Sequence, residues 1–202
     1  LPFDAFLRGR IFEPLQMSDT TFTLTEAQRR RCAGIYRRPE ETGALELNPQ
    51  PFGDMIRPEV PNPSGGLMST AHDMGTFYQM ILNGGSLDQQ RLLSNTSVAR
   101  MTTLQTGDLA TGFTPGNGWG LGWCIVREPQ GVTEMLSPGT YGHGGAFGTQ
   151  GWVDPRAELI LILMVQRTDF PNGDASDIRR TFTAAAVAAA SGSPPKSHGA
   201  TP

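Results

Sequence analysis

Nothing narrows the possible folds of this chain more than how closely its apolar segments follow one another in the last third. Thr149 to Asp154 reads as a short strand, Asp154-Pro155 as a turn, and Leu159 to Val165 as an unbroken apolar run. Parallel neighbours need crossovers of about a dozen residues or more, and these connections are shorter, so the sheet is expected to be antiparallel. The run from Leu159 suits a strand covered on both faces. Upstream, Trp119 to Val126 reads as one strand, with Trp119, Leu121, Trp123 and Ile125 on one face and Gly120, Gly122 and Cys124 on the other. A face of small residues lets another backbone or helix come close. Asp174 caps a last helix that carries Ile178 and Phe182, continues through alanines to about Ala190 and crosses one sheet face. Three or four strands are few for the apolar surface displayed, so something else is expected to complete the sheet.

The first half reads differently. Pro2 suits a first helical position, with Phe3, Phe6, Leu7 and Ile11 on one face and Pro14 as the stop. Thr25 can cap a helix over Glu26 to Arg31. Residues 33 to 62 look irregular, with short extended pieces around Ile35 and Leu45 to Leu47. Thr70 and Asp73 have capping-box spacing, Met74, Phe77, Tyr78 and Ile81 line a core face, and Gly84-Gly85 ends that helix. Ser94 or Asn95 starts another, to about Met101 or Leu104. The expected organisation is a helical, loop-rich region over 1–110, antiparallel strands with a closing helix over 111–190, and a loose tail over 191–202. The class is α/β of the α+β type.

Composition removes several functions. The chain has 202 residues, 16 basic and 19 acidic, and a formal charge of -3. A net negative chain without a basic stripe is not built to bind a phosphate backbone, so no nucleic-acid partner is expected. No apolar run reaches the ~18 residues that suggest a membrane span. The start at Leu1, with no signal-peptide pattern, suggests a processed chain or an excised piece. The 25 glycines and 16 prolines favour turns over a helical bundle. Cys32 and Cys124 have no metal-type or redox-type spacing and are expected to be two buried thiols.

Candidate chemistry begins with the three histidines, His72, His143 and His198. His198 lies in the tail and His72 in the first turn of a helix, where it is expected at the surface. His143 stands in Tyr141-Gly142-His143-Gly144-Gly145, where glycines open the backbone to a ligand. On its own, a histidine in such a strand end is more often structural. No serine has the Gly-x-Ser-x-Gly elbow. Scattered histidines offer no metal spacing, and no phosphate-cradling loop is present. No metal or cofactor is expected. The only lysine, Lys196, follows Ser193 at Ser-x-x-Lys spacing. That spacing works when a helical turn brings the amine to the hydroxyl. Pro194 and Pro195 intervene here, so the match is read as chance.

Several segments, in order, resemble the C-terminal part of the serine beta-lactamase family, which includes class C beta-lactamases, penicillin-binding D-Ala-D-Ala peptidases and related esterases. Ile11-Phe12-Glu13-Pro14-Leu15-Gln16-Met17-Ser18-Asp19-Thr20 resembles its "I-F-x-P-L-G-M-x-x-T", with Gln16 where glycine is usual. Pro63-Ser64-Gly65-Gly66-Leu67-Met68-Ser69-Thr70 with Asp73 resembles "x-S-G-G-L-x-S-T-x-x-D". Gly118-Trp119-Gly120-Leu121-Gly122-Trp123 resembles "Y-G-L-G-W". His143-Gly144-Gly145, with Gly148 and Trp152 to Pro155, resembles "H-x-G … G-x-x-x-x-x-D-P".

The resemblance implies a beta-lactamase/transpeptidase-like fold, an antiparallel sheet flanked by helices, and acyl transfer through a serine with a lysine one turn later. The helical Ser-x-x-Lys and the Tyr-x-Asn element are absent. In the family both precede the segment that starts here at Ile11, so the N-terminal strands and nucleophile helix are expected to be missing by truncation. The missing N-terminal part of the same protein is then the expected partner. By position, His143 stands first in the Lys-Thr-Gly motif, where it shapes the electrostatics and donates a hydrogen bond. Gly144 replaces the Thr, which weakens the case for a beta-lactam and leaves esters or peptides. Gly145 keeps the strand open to substrate. Ala146 supplies a backbone N–H to the oxyanion hole. Asn172, in a segment resembling "N-Y-P-N", is either a substrate-carboxylate contact or a plain turn residue. The family implies a periplasmic or extracellular setting. The alternative is a non-catalytic member that binds peptides or a partner chain.

Overall fold

The computed structural model describes residues 1–48, 61–110, 115–168 and 177–192. The Asp174 cap, Asn172 and the Ser193–Lys196 match lie outside the described residues. The chain divides into two compact units, one of Leu1–Val98 with Met164–Asp169, the other of Ala99–Leu163 with Phe170–Pro202.

In the first unit, α1 (Phe3–Leu7) follows Pro2, which is the N-cap rather than the first helical residue. It runs on into a π-helical turn over Arg8–Phe12. The chain then buries Phe12, Leu15 and Met17. α2 (Glu26–Arg31) is capped by Thr25, whose hydroxyl takes the Gln28 N–H while the Gln28 side chain returns to Thr25. β1 (Tyr36–Arg37) and β2 (Glu46–Leu47) pair antiparallel, as the two short extended pieces suggested.

α3 (Ala71–Leu82) starts at Thr70, whose side chain accepts from Asp73 N–H. It buries Tyr78, Met80 and Ile81 and ends where Gly84 N–H reaches the Ile81 carbonyl and Gly85 N–H the Met80 carbonyl. Both glycines have positive φ, so a side chain there would strain the stop. The Asp73 carboxylate does not return to Thr70 as a capping box requires. It is buried and accepts from Asp19 N–H at 2.9 Å and Thr20 Oγ1 at 2.8 Å. Thr20 also meets Ser69 Oγ at 2.8 Å, and Thr21 bridges Met68. Two of the recognised motifs, joined by contacts that span 49 to 54 positions, are thus the two sides of one hydrogen-bonded joint.

β3 (Ser86–Leu87) and β4 (Gln90–Arg91) form a hairpin that the sequence did not announce. Its turn residues, Asp88 and Gln89, both take positive φ without the usual glycine or asparagine. α4 (Asn95–Met101) follows, with Ser94 Oγ accepting from Ser97 N–H. The division between the units falls within it.

The second unit is built on a five-stranded antiparallel sheet in the order β5 (Asn117–Trp119), β6 (Cys124–Val126), β7 (Tyr141–Gly144), β8 (Gln150–Asp154), β9 (Leu159–Leu163). The single strand expected over Trp119 to Val126 is instead the β5–β6 hairpin, with Trp119 opposite Cys124. Gly122 turns with φ +81°, and Gly120 sits where any side chain would strike the Met101 carbonyl. Those glycines mark a turn and one close approach, and Leu121 is exposed at the tip. Among the described residues β9 has β8 as its one neighbour and so stands at the edge of the sheet, and it buries only Leu161 fully, so it is not covered on both faces as expected. α5 (Asp177–Ala190) packs Phe182, Ala186 and Val187 against Cys124, Val126, Leu136, Trp152 and Leu161. Ile178 is left exposed. Cys124 is buried as expected, whereas Cys32 is exposed just after the arginines that end α2.

Candidate active site

The candidate residues sit on β7 and the turn that joins it to β8. Register places Tyr141 opposite Val153, Gly142 opposite Trp152, His143 opposite Gly151 and Gly144 opposite Gln150. Gly142 is required by packing, since a Cβ there would meet the Gly151 carbonyl and the Trp152 ring. With Gly142 flat against β8, His143 stands exposed at the end of the strand. Its imidazole lies 5.1 Å from the Trp119 ring, centre to centre. Trp123 instead packs edge-on against Tyr141 at 5.2 Å and is buried. Of the two tryptophans, Trp119 is the one beside the candidate site.

His143 Nδ1 pairs with the Gly144 carbonyl. A carbonyl only accepts, so Nδ1 carries the proton of the neutral ring and Nε2 is left as an acceptor. Among the described residues nothing pairs with Nε2. Nε2 is thus the ring nitrogen left for a bound molecule.

The 145–149 turn is closed by Gly145 N–H on the Thr149 carbonyl at 2.8 Å and Gly148 N–H on the Gly145 carbonyl at 3.1 Å. At Gly145 a Cβ would run into Thr149 Oγ1, which would have to rotate away. Gly148 turns at φ +90°. Ala146 is exposed, and among the described residues nothing accepts from its N–H. His143 and Ala146 are thus exposed on either side of the half-buried Gly144 and Gly145, while Asn172 lies outside the described residues.

Two features escaped the sequence. Arg179, the third residue of α5, is buried at 1% exposure and donates to the carbonyls of Gly148, Gly145 and Thr149. Nothing in its sequence neighbourhood, beside the exposed Arg180, distinguishes it. Tyr141 is the second: burial pushes its phenol up to about 12. At the far end of β8, the buried Asp154 accepts from the N–H groups of Ser137 at 2.8 Å, Arg156 at 3.0 Å and Ala157 at 3.1 Å. This explains the Asp-Pro motif as a turn lock remote from His143.

The beta-lactamase family model matches residues 1–186. An uncharacterized protein of Mycobacterium tuberculosis is 33% identical over 175 residues, covering 82% of this chain and 43% of its own length. A Salmonella typhi protein named "Putative D-alanyl-D-alanine carboxypeptidase" is 27% identical, covering 85% of this chain and 41% of its own length. A mutant of simvastatin synthase from Aspergillus terreus superposes with a TM-score of 0.72 at 20% identity, over 94% of this chain and 50% of that one. This chain therefore spans less than half the length of the curated relatives it matches. With the motifs in order and the sheet and helices where the resemblance put them, the chain belongs to the beta-lactamase family of serine-hydrolase-like proteins.

Proposed function

We propose that this chain supplies the sheet side of an acyl-transfer site in a serine hydrolase acting on an ester or a D-alanyl peptide. The observation that carries the reading is the β7 end: an exposed His143 followed by Gly144, Gly145 and an Ala146 N–H without a partner among the described residues. In this reading Ala146 N–H stabilises the oxyanion of the tetrahedral intermediate, and one such donor is worth about 3 kcal/mol there. His143 meets the substrate through Nε2, and the Trp119 ring lies against its imidazole. The nucleophilic serine, its lysine and the Tyr-x-Asn element come from residues beyond these 202, which the greater length of the relatives supports. Glycine in place of a hydroxyl residue at 144 favours esters and peptides over beta-lactams, whose carboxylate would lack that donor.

The test is a fluorophosphonate probe with a chromogenic ester, applied to the full-length protein and to this chain alone. The full-length protein should label at one serine and hydrolyse the ester, and residues 1–202 alone should do neither. A folded full-length protein that neither labels nor turns over would favour the non-catalytic, peptide-binding reading. Stoichiometric serine labelling of this chain alone would overturn the assignment of the nucleophile elsewhere.

A further inference from the structure

We propose that Arg179 is a positioning residue that locks the Gly145–Ala146 peptide plane and so sets the direction of the Ala146 N–H. The consequence for catalysis rests on the serine-hydrolase reading, whereas the geometry does not.

Arg179 is an unusual residue for its place. It occupies the first turn of α5, where the helix macrodipole disfavours a positive charge, and it is buried, where desolvation disfavours it again. Three carbonyl oxygens offset both costs. Nη2 lies 2.7 Å from the Gly145 oxygen and 2.8 Å from that of Thr149, and Nε lies 3.3 Å from that of Gly148. All three belong to the single turn between β7 and β8.

The link to the N–H is covalent. No peptide bond here is cis, and in a planar trans peptide the C=O of one residue points opposite to the N–H of the next. Holding the Gly145 carbonyl on the α5 side therefore directs the Ala146 N–H away from α5. Without Arg179 the Gly145 carbonyl keeps only the longer bond from Gly148 N–H, at 3.1 Å against 2.7 Å, and Gly145 has no Cβ to restrict its ψ, so this peptide is the easiest in the turn to flip. A flip would present a carbonyl oxygen where the proposed oxyanion needs a donor. The guanidinium reaches the three carbonyls from two nitrogens, Nε and Nη2, fixed in one plane, and the single nitrogen of a lysine on a flexible stem would not reproduce that spread.

The test compares Arg179→Met and Arg179→Lys with wild type in the full-length protein. Crystal structures read the 145–146 peptide orientation, and ester hydrolysis reads kcat and KM separately. The proposal expects a flipped or mixed peptide in both variants. It also expects kcat to fall about 100-fold, the size of losing an oxyanion donor, with KM within threefold. Arg179→Lys, which keeps the charge and most of the volume, covers the case in which Arg179→Met fails to fold. An unchanged peptide plane in a folded variant overturns the proposal, whatever the rate. A flipped plane with unchanged kcat keeps the lock and overturns its catalytic consequence. If wild type itself shows no hydrolysis, the serine-hydrolase reading fails, and the peptide orientation still decides the lock.

Discussion

At the scale of single residues, the departures from the family pattern are the informative positions. Gln16 stands where glycine is usual and adopts φ +57°. A left-handed backbone costs a residue with a Cβ about 1 kcal/mol or more. Gln16→Gly should raise the thermal midpoint by about 2–4 °C, and calorimetry reads it directly; a lower midpoint would mean that the Gln16 side chain contributes more than its backbone costs. Gly142 carries the opposite lesson. A methyl there collides with the Gly151 backbone and the Trp152 ring, neither of which can move without opening β8. Gly142→Ala should destabilise by at least ~3 kcal/mol in urea unfolding, at the upper end for point changes. Gly142, Gly144 and Gly145 looked alike in sequence, as residues that open a strand. Packing separates them: a side chain at Gly142 meets the backbone of β8, whereas one at Gly145 meets closely only the Thr149 hydroxyl.

Among the elements, the β8–β9 hairpin owes its turn to one carboxylate. Burial alone would raise the pKa of Asp154, but the N–H bonds from Ser137, Ala157 and Arg156 outweigh it, and the group is held below the usual carboxylate value. A depressed folded pKa contributes stability that is fully present above the unfolded value, about 3.9, and is lost as pH falls through the folded value. Asp154→Asn should therefore lower the urea midpoint at pH 7. The gap to wild type should shrink between about pH 4 and more acid conditions. A gap independent of pH would show that the turn does not depend on the ionised carboxylate. Asp73 plays a similar part in the other unit, joining the entry of α3 to the Ser18–Thr20 segment. The sequence placed Asp73 correctly at the helix start and assigned its carboxylate the wrong partner, because local spacing does not report a contact 53 residues away.

For the whole molecule, the open question is the sheet edge. β9 has one neighbour, β8, among the described residues, and four of its five side chains are only half-buried. An unpaired apolar edge is a template for another strand. Residues 1–202 expressed alone should associate with rising concentration in sedimentation velocity. A monomer at every concentration, with a sharp cooperative melt, would show that the edge is protected within this chain. The sheet's class and the closing helix were legible from strand length and short connections. The β5–β6 hairpin was not, because alternation on paper does not distinguish a small-residue face from a tight turn until Gly122 is seen at positive φ. The β3–β4 hairpin was hidden because Gln89 follows Asp88 where the turn signature has glycine.

What the sequence determined by itself was local or modular: the caps at Thr25 and Thr70, the Gly84-Gly85 stop, the order of the family motifs and the candidate strand around His143. These depend on propensity and short-range hydrogen bonds, which travel with the residues themselves. Only the tertiary structure decided that Trp119 and not Trp123 stands beside His143, that Nε2 is its free nitrogen, and that Arg179 reaches the turn that carries Ala146. Those relations join residues up to 34 positions apart through packing and peptide-plane geometry, and a linear order of side chains does not encode direction in space.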